Sequence, residues 1–507
     1  MDCDRDAPRI SEFFRDREVF ITGGTGSVGK ALIEKILFSC PDVKKIYLLM
    51  RPKKKLDIHE RLAKFSSGII FNRVRAKDCT LLKKLVPING DSKEIGLGLR
   101  NEDKKLMENV SVIFHGAASV RFDDPLKDAI LLNTRGTWEV IKFAETLKKL
   151  CVFVHISTTY CYPYLLNIEE KLYPMSANWR ESIRIAENVD RETLDIIGPL
   201  YMKSYPNSYC FSKGLSEQIF NEYKDKLPVV IFRPSIVTPS LREPYPGWLD
   251  FINGPIAFTL PGSLGINHVG LFKLETQCDY IPLDIVVKSL IVTAYVHGLN
   301  YERHNQLPEL EIYNCAAGAK KRMSIRSLLE HSMEVVNYFP VDQAVWSART
   351  LTTESLFLFK FIGIFVQFLP GLIFDQIGKI FKVKQKLLPI LRTICYTTCK
   401  LQFFMFNTWN FDNTNFFTLM KHIKDADRDD FYYDYYSEYS SKKYIYLCGA
   451  GSRRFLLKQS DETLDYARRK HIVIKIADKI VVSLFYFLIY YFFIHAYMKK
   501  FYLYWTE

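Results

Sequence analysis

Thr22-Gly23-Gly24-Thr25-Gly26-Ser27-Val28-Gly29 follows a short β-branched run near the start of a 507-residue chain. The glycines have the G-x-x-G-x-x-G spacing, and an amphipathic stretch comes directly after them. Glycines allow a tight turn and let the backbone approach a pyrophosphate, and a helix starting near Ser27 directs its free amide groups at that phosphate. The stretch therefore predicts a dinucleotide-binding loop between a first strand and a first helix.

Apolar β-branched runs alternate with helical stretches along the first half of the chain. The predicted strands are Val19 to Thr22, Lys45 to Met50, Ser111 to His115, Val152 to Ser157 and Val229 to Arg233. The predicted helices include Gly29 to Phe38, Thr134 to Leu150 and Ser208 to Lys226. This alternation is typical of an α/β fold with a doubly wound parallel Rossmann sheet.

The chain is too long for a single hydrophobic core, so a second domain is expected. After about Ser324 the strand-helix alternation fades into a hydrophobic, aromatic and mainly helical region. We predict an N-terminal tail at 1–16, a Rossmann domain at 17–330, a mainly helical C-terminal domain at 331–465 and a membrane anchor at 466–507. Within the C-terminal domain, the apolar segment 361–374 is interpreted as an interfacial or re-entrant hairpin, with a pair of core helices as the alternative.

An apolar segment near the C-terminus, 480–498, has no fully charged residue. Its length suits a transmembrane helix, which needs about 20 residues. Five Lys or Arg residues precede the segment and two follow it, so the positive-inside rule places the large N-terminal part in the cytosol. A buried or interfacial helix is the alternative interpretation.

The formal net charge of +13 suits nucleic acid, an anionic membrane surface or an anionic nucleotide substrate. The sequence contains no recognisable nucleic-acid-binding module, so binding to nucleic acid is not expected. The eleven cysteines include no Cys-x-x-Cys pair, and reduced thiols are expected rather than a metal site.

The second predicted strand ends at Arg51, where an NAD enzyme would place an Asp or Glu on the ribose hydroxyls. A guanidinium at this position suits a 2′-phosphate through bidentate hydrogen bonds, which favours NADPH over NADH. A solvated basic loop is the alternative, and it explains the lysines at 53–55 better than it explains Arg51.

Tyr209 and Lys213 lie one helical turn apart, a spacing that suits proton donation to a carbonyl that accepts hydride. The lysine ammonium would lower the tyrosine pKa and hold the nicotinamide ribose, and a hydroxyl from Thr158 or Ser157 would polarise the substrate oxygen. A second Tyr-x-x-x-Lys match, at 439–443, has no predicted sheet around it. Tyr209, which lies between two predicted strands, is therefore the predicted catalytic tyrosine rather than Tyr439.

The predicted cofactor contacts lie at the ends of the strands and on the catalytic helix. They are Thr22, Gly23, Thr25, Gly26, Ser27, Val28, Gly29, Arg51, Asp91, Ala117, Lys213 and Pro234. Asp91 is assigned to the adenine, and the small residues around Ala117 would let the cofactor lie over the sheet. His115 and His155 are interpreted as packed, hydrogen-bonded residues rather than catalytic ones.

Several stretches resemble the fatty acyl-CoA reductases of eukaryotes, especially insects, within the extended short-chain dehydrogenase superfamily. They are Thr22 to Leu37, Ile46 to Lys54, Phe114 to Leu126, Asn207 to Glu217, Ile231 to Gly254, Asp279 to Asp284, Trp409 to Asn415 and Gly449 to Lys458. The resemblance covers nearly the whole chain. It departs from the family pattern at Ser27, where a Phe is usual, at Lys288, where an Asn is expected, and at 436–439, where the family has an Asp-Trp-containing stretch.

The resemblance implies NADPH-dependent reduction of a long-chain fatty acyl-CoA, through a fatty aldehyde, to a primary alcohol. It also implies contact with membrane lipid, and the endoplasmic reticulum is the expected membrane, with the peroxisome and the lipid droplet open. A membrane-bound sterol or sugar-nucleotide dehydrogenase of the same fold is the enzymatic alternative. A non-catalytic NADP-binding sensor is the alternative from another class.

Overall fold

A computed structural model describes residues 7–52, 56–252, 254–319, 321–382, 386–435 and 439–506. Residues 1–6 of the predicted tail, the lysines at 53–55 and residue 507 lie outside the described residues. The chain divides into two compact units, and neither is continuous in sequence. Unit 1 comprises Met1–Phe251, Glu275–Ser324 and Phe406–Leu447, and unit 2 comprises Ile252–Leu274, Ile325–Met405 and Cys448–Glu507.

Unit 1 is built on a seven-stranded sheet in which all neighbouring strands are parallel. Its strands are β1 Glu18–Thr22, β2 Lys45–Met50, β3 Leu85–Asn89, β4 Val110–His115, β5 Val152–Ile156, β6 Val229–Pro234 and β7 Ile312–Cys315. Their spatial order is β7-β6-β5-β4-β1-β2-β3. The order reverses beside β1, which is the crevice where a doubly wound sheet binds its ligand. The predicted doubly wound Rossmann fold is therefore confirmed.

The central strands are apolar runs because helices cover both faces of the sheet. Every residue of β1, β4 and β6 is buried. Continuous burial of this kind is typical of strands in an all-parallel sheet. The predicted strands agree with the observed ones to within one residue at each end.

The helices of unit 1 connect these strands and cover the sheet. They are α1 Ile10–Phe13, α2 Ser27–Ser39, α3 Ile58–Ser66, α4 Asn72–Asp78, α5 Asn101–Leu106, α6 Leu126–Ala129, α7 Gly136–Ala144, α8 Trp179–Asn188, α9 Arg191–Met202 and α10 Ser208–Tyr223. The helix α12, Leu283–His304, is almost entirely buried and packs on α2. The intervening helix α11, Ile256–Ser263, belongs to unit 2.

Part of the predicted tail is folded into unit 1. Ile10, Phe13 and Phe14 are buried, and the Pro8 carbonyl accepts a hydrogen bond from the Tyr295 hydroxyl at 2.8 Å. The segment carries three large apolar side chains within five residues, and their burial holds it on α12.

Residues 406–447, predicted from the sequence to belong to the C-terminal domain, pack in unit 1 instead. Asn410–Phe411 pairs in parallel with Asn167–Ile168, and the Trp409 indole donates to the Pro163 carbonyl at 3.1 Å. The Glu170 carboxylate also accepts from the Phe416 amide at 3.0 Å. The helices of this segment are α17 Thr414–Thr418 and α18 Arg428–Phe431.

Unit 2 is mainly helical. Besides α11 it contains α13 Ile325–Tyr338, α14 Leu356–Gly363, α15 Leu369–Ile380, α16 Leu387–Phe406, the end of α19 Ser441–Gly451, and α20 Leu464–Thr506. Short strands at Val269–Leu271 and Leu351–Thr353 pair in parallel. The buried Arg453 guanidinium bonds to Asp342 Oδ1 at 2.8 Å and to Gln459 Oε1 at 2.6 Å, which fixes the segment before α20.

The hairpin interpretation of 361–374 is wrong. The segment lies in one helical stretch, Leu356–Ile380, in which α14 and α15 are joined by a π-helical turn at Ile364–Phe368. Pro370 lies at the start of α15, directly after that turn. A π-helical turn changes the hydrogen-bond pattern locally, so a helix can continue past a proline that has no amide hydrogen.

Two helical stretches of the described residues are long and apolar enough to cross a membrane. Within an 18-residue apolar stretch of each, 89% of the residues of α12, Leu283–His304, and 22% of those of Leu356–Ile380 are buried. The predicted transmembrane segment 480–498 lies inside the 43-residue helix α20, and almost all of its side chains are exposed. Insertion of that segment into a membrane stays a prediction.

Candidate active site

The glycine loop connects β1 to α2 at the carboxyl edge of the sheet. Gly23 has a φ of +74°, and a Cβ atom there would lie 2.6 Å from the Gly116 carbonyl carbon. A Cβ atom at Gly29 would lie 2.5 Å from the Gly23 carbonyl oxygen, whereas at Gly26 the nearest atom would be 3.4 Å away. Gly23 and Gly29 are therefore required for backbone packing, and exposed Gly26 leaves the loop open to a ligand.

An acidic side chain that was not predicted occupies the start of α2. The Asp250 carboxylate accepts hydrogen bonds from the Ser27 hydroxyl and the Lys30 ammonium. Gly26 offers no side-chain cap, and the Asp250 carboxylate lies beside the positive end of the helix, bonded to two of its side chains. The start of α2 thus has the electrostatics that a pyrophosphate needs. Thr25 and Val28, on either side of this point, are half-buried.

A hydrogen-bonded chain connects the loop to β4. The Thr22 hydroxyl lies 2.7 Å from His115 Nδ1 and accepts from the Ala117 amide at 3.2 Å. His115 Nε2 lies 2.9 Å from the Thr137 hydroxyl, which itself donates to the Asn133 carbonyl at 2.6 Å. Burial and the nearby Lys213 ammonium lower the pKa of His115 to about 3, so the ring is neutral. His115 therefore fixes the positions of Thr22 and Ala117.

Two arginines lie at the end of β2. Arg51 is 65% exposed and donates from Nη1 to Asp91 Oδ2 at 3.0 Å. Arg61, on α3, donates to the Arg51 carbonyl. Burial and the Arg51 charge lower the pKa of Arg61. The structure thus brings together Arg51 and Asp91, which were predicted, and Arg61, for which the sequence offers no motif.

Tyr209 is on the first turn of α10, and its hydroxyl is close enough to the Thr158 side chain for that side chain to influence the tyrosine pKa. Its ring stacks on Phe122 with the centroids 5.7 Å apart. Burial raises the pKa of Tyr209, and the interaction with the Thr158 side chain lowers it by a smaller amount. The Thr158 oxygen also accepts from the Tyr160 amide at 3.2 Å, so its own proton is available to Tyr209.

Lys213 follows one turn later on α10 and is almost fully buried. Its ammonium donates to the Ile156 carbonyl at the end of β5, at 2.8 Å. Burial lowers the pKa of Lys213 to about 8, although the Glu217 carboxylate opposes that shift. A fixed cation with a reduced pKa is characteristic of a functional lysine.

Ser157 and Thr158 are neighbours with different partners. The Ser157 hydroxyl donates to Glu217 Oε1 at 2.5 Å. Glu217 and Arg233 form a fully buried, two-point ion pair, with Arg233 Nη2 donating to Oε2 at 2.7 Å. Of the two predicted hydroxyls, Thr158 therefore lies beside Tyr209. The Ser157 hydroxyl is instead bonded to the carboxylate of the ion pair. Pro234 ends β6 directly after Arg233.

A positioning contact that the sequence did not reveal comes from the π-helical turn Ile130–Arg135. The Asn133 side-chain amide donates to the Ser212 hydroxyl at 2.9 Å and to the Ser119 carbonyl at 3.1 Å. Ser212 lies between Tyr209 and Lys213 on α10. Asn133 therefore fixes the helical turn that carries the candidate catalytic pair. Among the described residues, no cluster of His, Cys, Asp or Glu is arranged to hold a metal ion.

Comparison with known families identifies both parts of the chain. An NAD-binding domain model described as male sterility protein matches residues 21–290, and a second model with the same description matches 366–459. The human fatty acyl-CoA reductase 1 is 30% identical over 464 residues, covering 91% of this chain and 89% of that protein. The chain belongs to the fatty acyl-CoA reductase family.

A Drosophila melanogaster relative, fatty acyl-CoA reductase wat, is 31% identical to this family member over 431 residues, covering 85% of this chain and 82% of that protein. Among solved structures, the terminal R domain of the myxalamid biosynthetic pathway aligns with a TM-score of 0.56 at 16% identity, covering 90% of this chain and 94% of that one. The reductase domain of a Mycobacterium tuberculosis non-ribosomal peptide synthetase aligns with a TM-score of 0.55 at 18% identity, covering 89% and 94%. These likenesses confirm the fold.

The residues of this reductase-family chain fit a nicotinamide dinucleotide. The loop is open at Gly26, the start of α2 already holds an anion, and two guanidinium groups lie at the end of β2. The first domain is a nicotinamide-dinucleotide-binding domain, in agreement with the matched family model.

Proposed function

We propose that this chain is an alcohol-forming fatty acyl-CoA reductase that uses NADPH. It reduces a long-chain acyl thioester to an aldehyde, releases coenzyme A, and reduces the aldehyde to a primary alcohol at the same site. Family membership supports the reaction class, because both domain models match and curated relatives with this activity in their names align along nearly the full chain.

The approach of the Thr158 side chain to the Tyr209 hydroxyl, one helical turn from the fixed Lys213 ammonium, carries the catalytic assignment. It orients the phenol at the carboxyl end of β5, and the Lys213 ammonium is fixed one turn away by the Ile156 carbonyl. A phenol and an ammonium held on one rigid helix suit proton donation to a carbonyl oxygen. Ser157 is assigned to support of the Glu217–Arg233 ion pair rather than to the substrate.

NADPH, when bound, supplies the hydride. The glycine loop and the start of α2 bind the pyrophosphate in this proposal, with Thr22, Ala117 and Pro234 lining the crevice. Arg51 and Arg61 bind the 2′-phosphate, and Asp91 orients Arg51 through their 3.0 Å hydrogen bond. Two guanidinium groups with no acidic residue directly at the strand end favour a phosphate over ribose hydroxyls.

In the first step, Tyr209 donates its proton to the thioester oxygen as hydride adds to the carbonyl carbon. The resulting hemithioacetal collapses to aldehyde and coenzyme A thiol. In the second step, the reprotonated Tyr209 donates again as the aldehyde carbon accepts a second hydride, which gives the alcohol. Thr158 donates to the tyrosine oxygen and stabilises its anionic form, and the Lys213 charge acts in the same direction.

We place the protein on a membrane through residues 480–498 of α20, with unit 1 in the cytosol. The nearly complete exposure of this apolar segment supports anchoring, because an exposed apolar surface of this size is unfavourable in water. The basic residues that precede the segment support the orientation. The endoplasmic reticulum is the proposed membrane, and the peroxisome and the lipid droplet are the other surfaces to examine.

The direct test is a product assay on the full-length protein in detergent. Hexadecanoyl-CoA and NADPH should give hexadecanol, with two NADPH oxidised and one coenzyme A thiol released for each alcohol. The thiol is quantified with a chromogenic disulfide and the alcohol by mass spectrometry. Binding of NADPH without oxidation in the presence of any acyl-CoA would contradict the proposal and favour an NADP-binding sensor. Oxidation of a sterol or sugar nucleotide instead would favour the other dehydrogenase class.

A further inference from the structure

Unit 1 contains a cavity beyond the end of β7 that the reaction steps above do not use. Its volume of 520 Å³ lies within the range of small-molecule sites, about 300 to 1,000 Å³. Part of the lining is the run of small residues at 316–319, and another part is formed by Asn413, Phe416 and Phe417. The described lining residues all belong to unit 1, which also carries the candidate active site.

The cavity lies at the same edge of the sheet as the candidate active site. β5, β6 and β7 are parallel neighbours, so their carboxyl ends meet at one edge, and two strand spacings, about 10 Å, separate β5 from β7. Asp279 connects the ends of β6 and β7. Its carboxylate accepts from the Ser235 hydroxyl at 2.6 Å and from the Gly318 amide of the cavity lining at 3.0 Å.

Hydrogen bonds within unit 1 fix the residues that line the cavity. Asp279 also accepts from the Ala317 amide at 2.9 Å, and the Asn413 side-chain amide donates to the Ala316 carbonyl at 2.8 Å. The segment that follows β7 is therefore held to both of its neighbours. A cavity with fixed walls loses little conformational entropy when a ligand binds.

The lining suits an uncharged ligand that has both apolar and amide groups. Ile281, Ile285 and Phe417 supply apolar surface, and the described lining residues include one ammonium, Lys321, and one carboxylate, Asp434. Because these charges have opposite signs, a diphosphate would gain little net attraction inside the cavity.

Backbone and side-chain polar groups are also available to such a ligand. The Asn413 amide nitrogen donates to the Ala316 carbonyl, which leaves Oδ1 as an acceptor for an amide hydrogen. The residues at 316–319 are alanines and a glycine, so their side chains leave the backbone within reach of a ligand.

We propose that this cavity binds the pantetheine arm of the acyl-CoA substrate. The inference rests on the proposed function, because it takes a coenzyme A thioester as the substrate. Pantetheine is an uncharged chain with two amides and a geminal dimethyl group, which matches the acceptor and the apolar surface of the lining. An extended pantetheine arm is longer than two strand spacings, so its sulfur can reach the carboxyl end of β5. The charged nucleotide of coenzyme A stays outside the cavity.

A tryptophan at Ala319 tests the proposal by adding an indole to the exposed part of the lining. We expect Ala319→Trp to lower kcat/KM for hexadecanoyl-CoA about tenfold or more and to change the value for hexadecanal less than about twofold, because the aldehyde has no pantetheine. Ala426→Trp is the control, since Ala426 is exposed in unit 1 and does not line the cavity. It should leave both values close to wild type.

The two substrates separate failure of this inference from failure of the proposed function. An equal change for hexadecanoyl-CoA and hexadecanal in Ala319→Trp, or no change for either, would overturn the pantetheine assignment and leave the reductase intact. A wild-type protein that reduces neither substrate would contradict the proposed function itself.

Hydrogen exchange of the unmodified protein is a second measurement that does not depend on the folding of a variant. Desulfo-coenzyme A, which lacks the thiol, should slow exchange in peptides covering 316–319 and 413–417. Saturating NADP⁺ keeps the coenzyme A nucleotide out of the dinucleotide crevice during this experiment. Adenosine 3′,5′-diphosphate, which lacks pantetheine, should leave those peptides unchanged.

Two results of the exchange experiment would overturn the inference. Equal protection of these peptides by adenosine 3′,5′-diphosphate would assign the cavity to the nucleotide rather than to pantetheine. Protection by desulfo-coenzyme A that is confined to other peptides, while hexadecanol is formed normally, would place the arm elsewhere and leave the proposed function intact.

Discussion

Ser157 donates a 2.5 Å hydrogen bond to Glu217, whereas the side chain of its neighbour Thr158 interacts with the Tyr209 hydroxyl and lowers the tyrosine pKa. Consecutive residues at the end of β5 therefore serve two different parts of the molecule. Ser157 supports the buried Glu217–Arg233 ion pair, and Thr158 orients the proposed proton donor.

Substitution of each hydroxyl by alanine should separate these roles. Thr158→Ala is expected to lower kcat by about tenfold to a hundredfold with little change in thermal stability, because it removes the hydrogen bond to Tyr209. Ser157→Ala should retain kcat and lower the free energy of unfolding by about 1 to 3 kcal/mol, because it removes a donor from a buried carboxylate. Thr158→Ser is the rescue variant. Loss of kcat in Ser157→Ala at unchanged stability would reverse the assignment.

The cofactor preference should depend on the two arginines at the end of β2. Arg51→Ala is expected to reduce kcat/KM for NADPH by about tenfold to a hundredfold and to leave the value for NADH nearly unchanged, because only the 2′-phosphate loses a charge-assisted contact. Arg61→Ala should act in the same direction. Arg100→Ala is the control, since Arg100 is 67% exposed and pairs with Asp103. An equal loss for both cofactors would contradict 2′-phosphate recognition.

The pKa of Lys213, lowered by burial to about 8, should shape the alkaline side of the activity profile. The charged ammonium is present below that pH and is lost above it, so kcat/KM for NADPH should fall as pH rises through about 8. Lys213→Arg, if active, should remove that decline, because arginine stays charged. A flat profile from pH 7 to 10 in the unmodified enzyme would contradict a role for the ammonium.

The lowered pKa of Lys213 should have the opposite effect on the pH dependence of stability, which should rise with pH where activity falls. The lysine pKa falls from 10.5 to about 8 on folding, so the unfolded chain binds this proton more tightly. The contribution of Lys213 to the free energy of unfolding should therefore rise between those two pH values. Comparison of urea unfolding of the parent and Lys213→Met across this window measures that contribution.

Asp250 should oppose cofactor binding. Its carboxylate bonds to Ser27 and Lys30 where the pyrophosphate is proposed to lie, so the two anions compete for the start of α2. Asp250→Asn is expected to lower the Kd for NADPH several-fold, by isothermal titration calorimetry at low salt, and high salt should reduce the difference. A weaker affinity in Asp250→Asn would contradict this competition and assign Asp250 to organising the loop for the cofactor.

Local patterns were sufficient for most of the sheet but not for its edges. The strands β3 and β7 were missed, and they are the two edge strands. Pro87 interrupts the apolar pattern of β3, and a proline is tolerated there because an edge strand has unpaired positions. The packing of 406–447 in unit 1 depends on contacts with residues more than two hundred positions away, such as Trp409 with Pro163, and no local periodicity encodes them.

The same distinction applies to the site. The spacing of Tyr209 and Lys213 predicts a shared helical face, because one helical turn determines it. The choice between Ser157 and Thr158 depends on Glu217 and Arg233, which come from other elements. No sequence motif marks Arg61 or Asp250. Folding alone brings Arg61 to the end of β2 and Asp250 to the cofactor loop.

The central claim is that Tyr209 donates a proton to the thioester oxygen as hydride reduces the carbonyl carbon. The most direct test is single-turnover conversion of hexadecanoyl-CoA by Tyr209→Phe, with the NADPH Kd measured on the same preparation. We expect a rate of aldehyde and alcohol formation at least about a hundredfold below wild type, because phenylalanine has no proton to donate, with an unchanged Kd. Product formation at the wild-type rate, with NADPH bound normally, would contradict it.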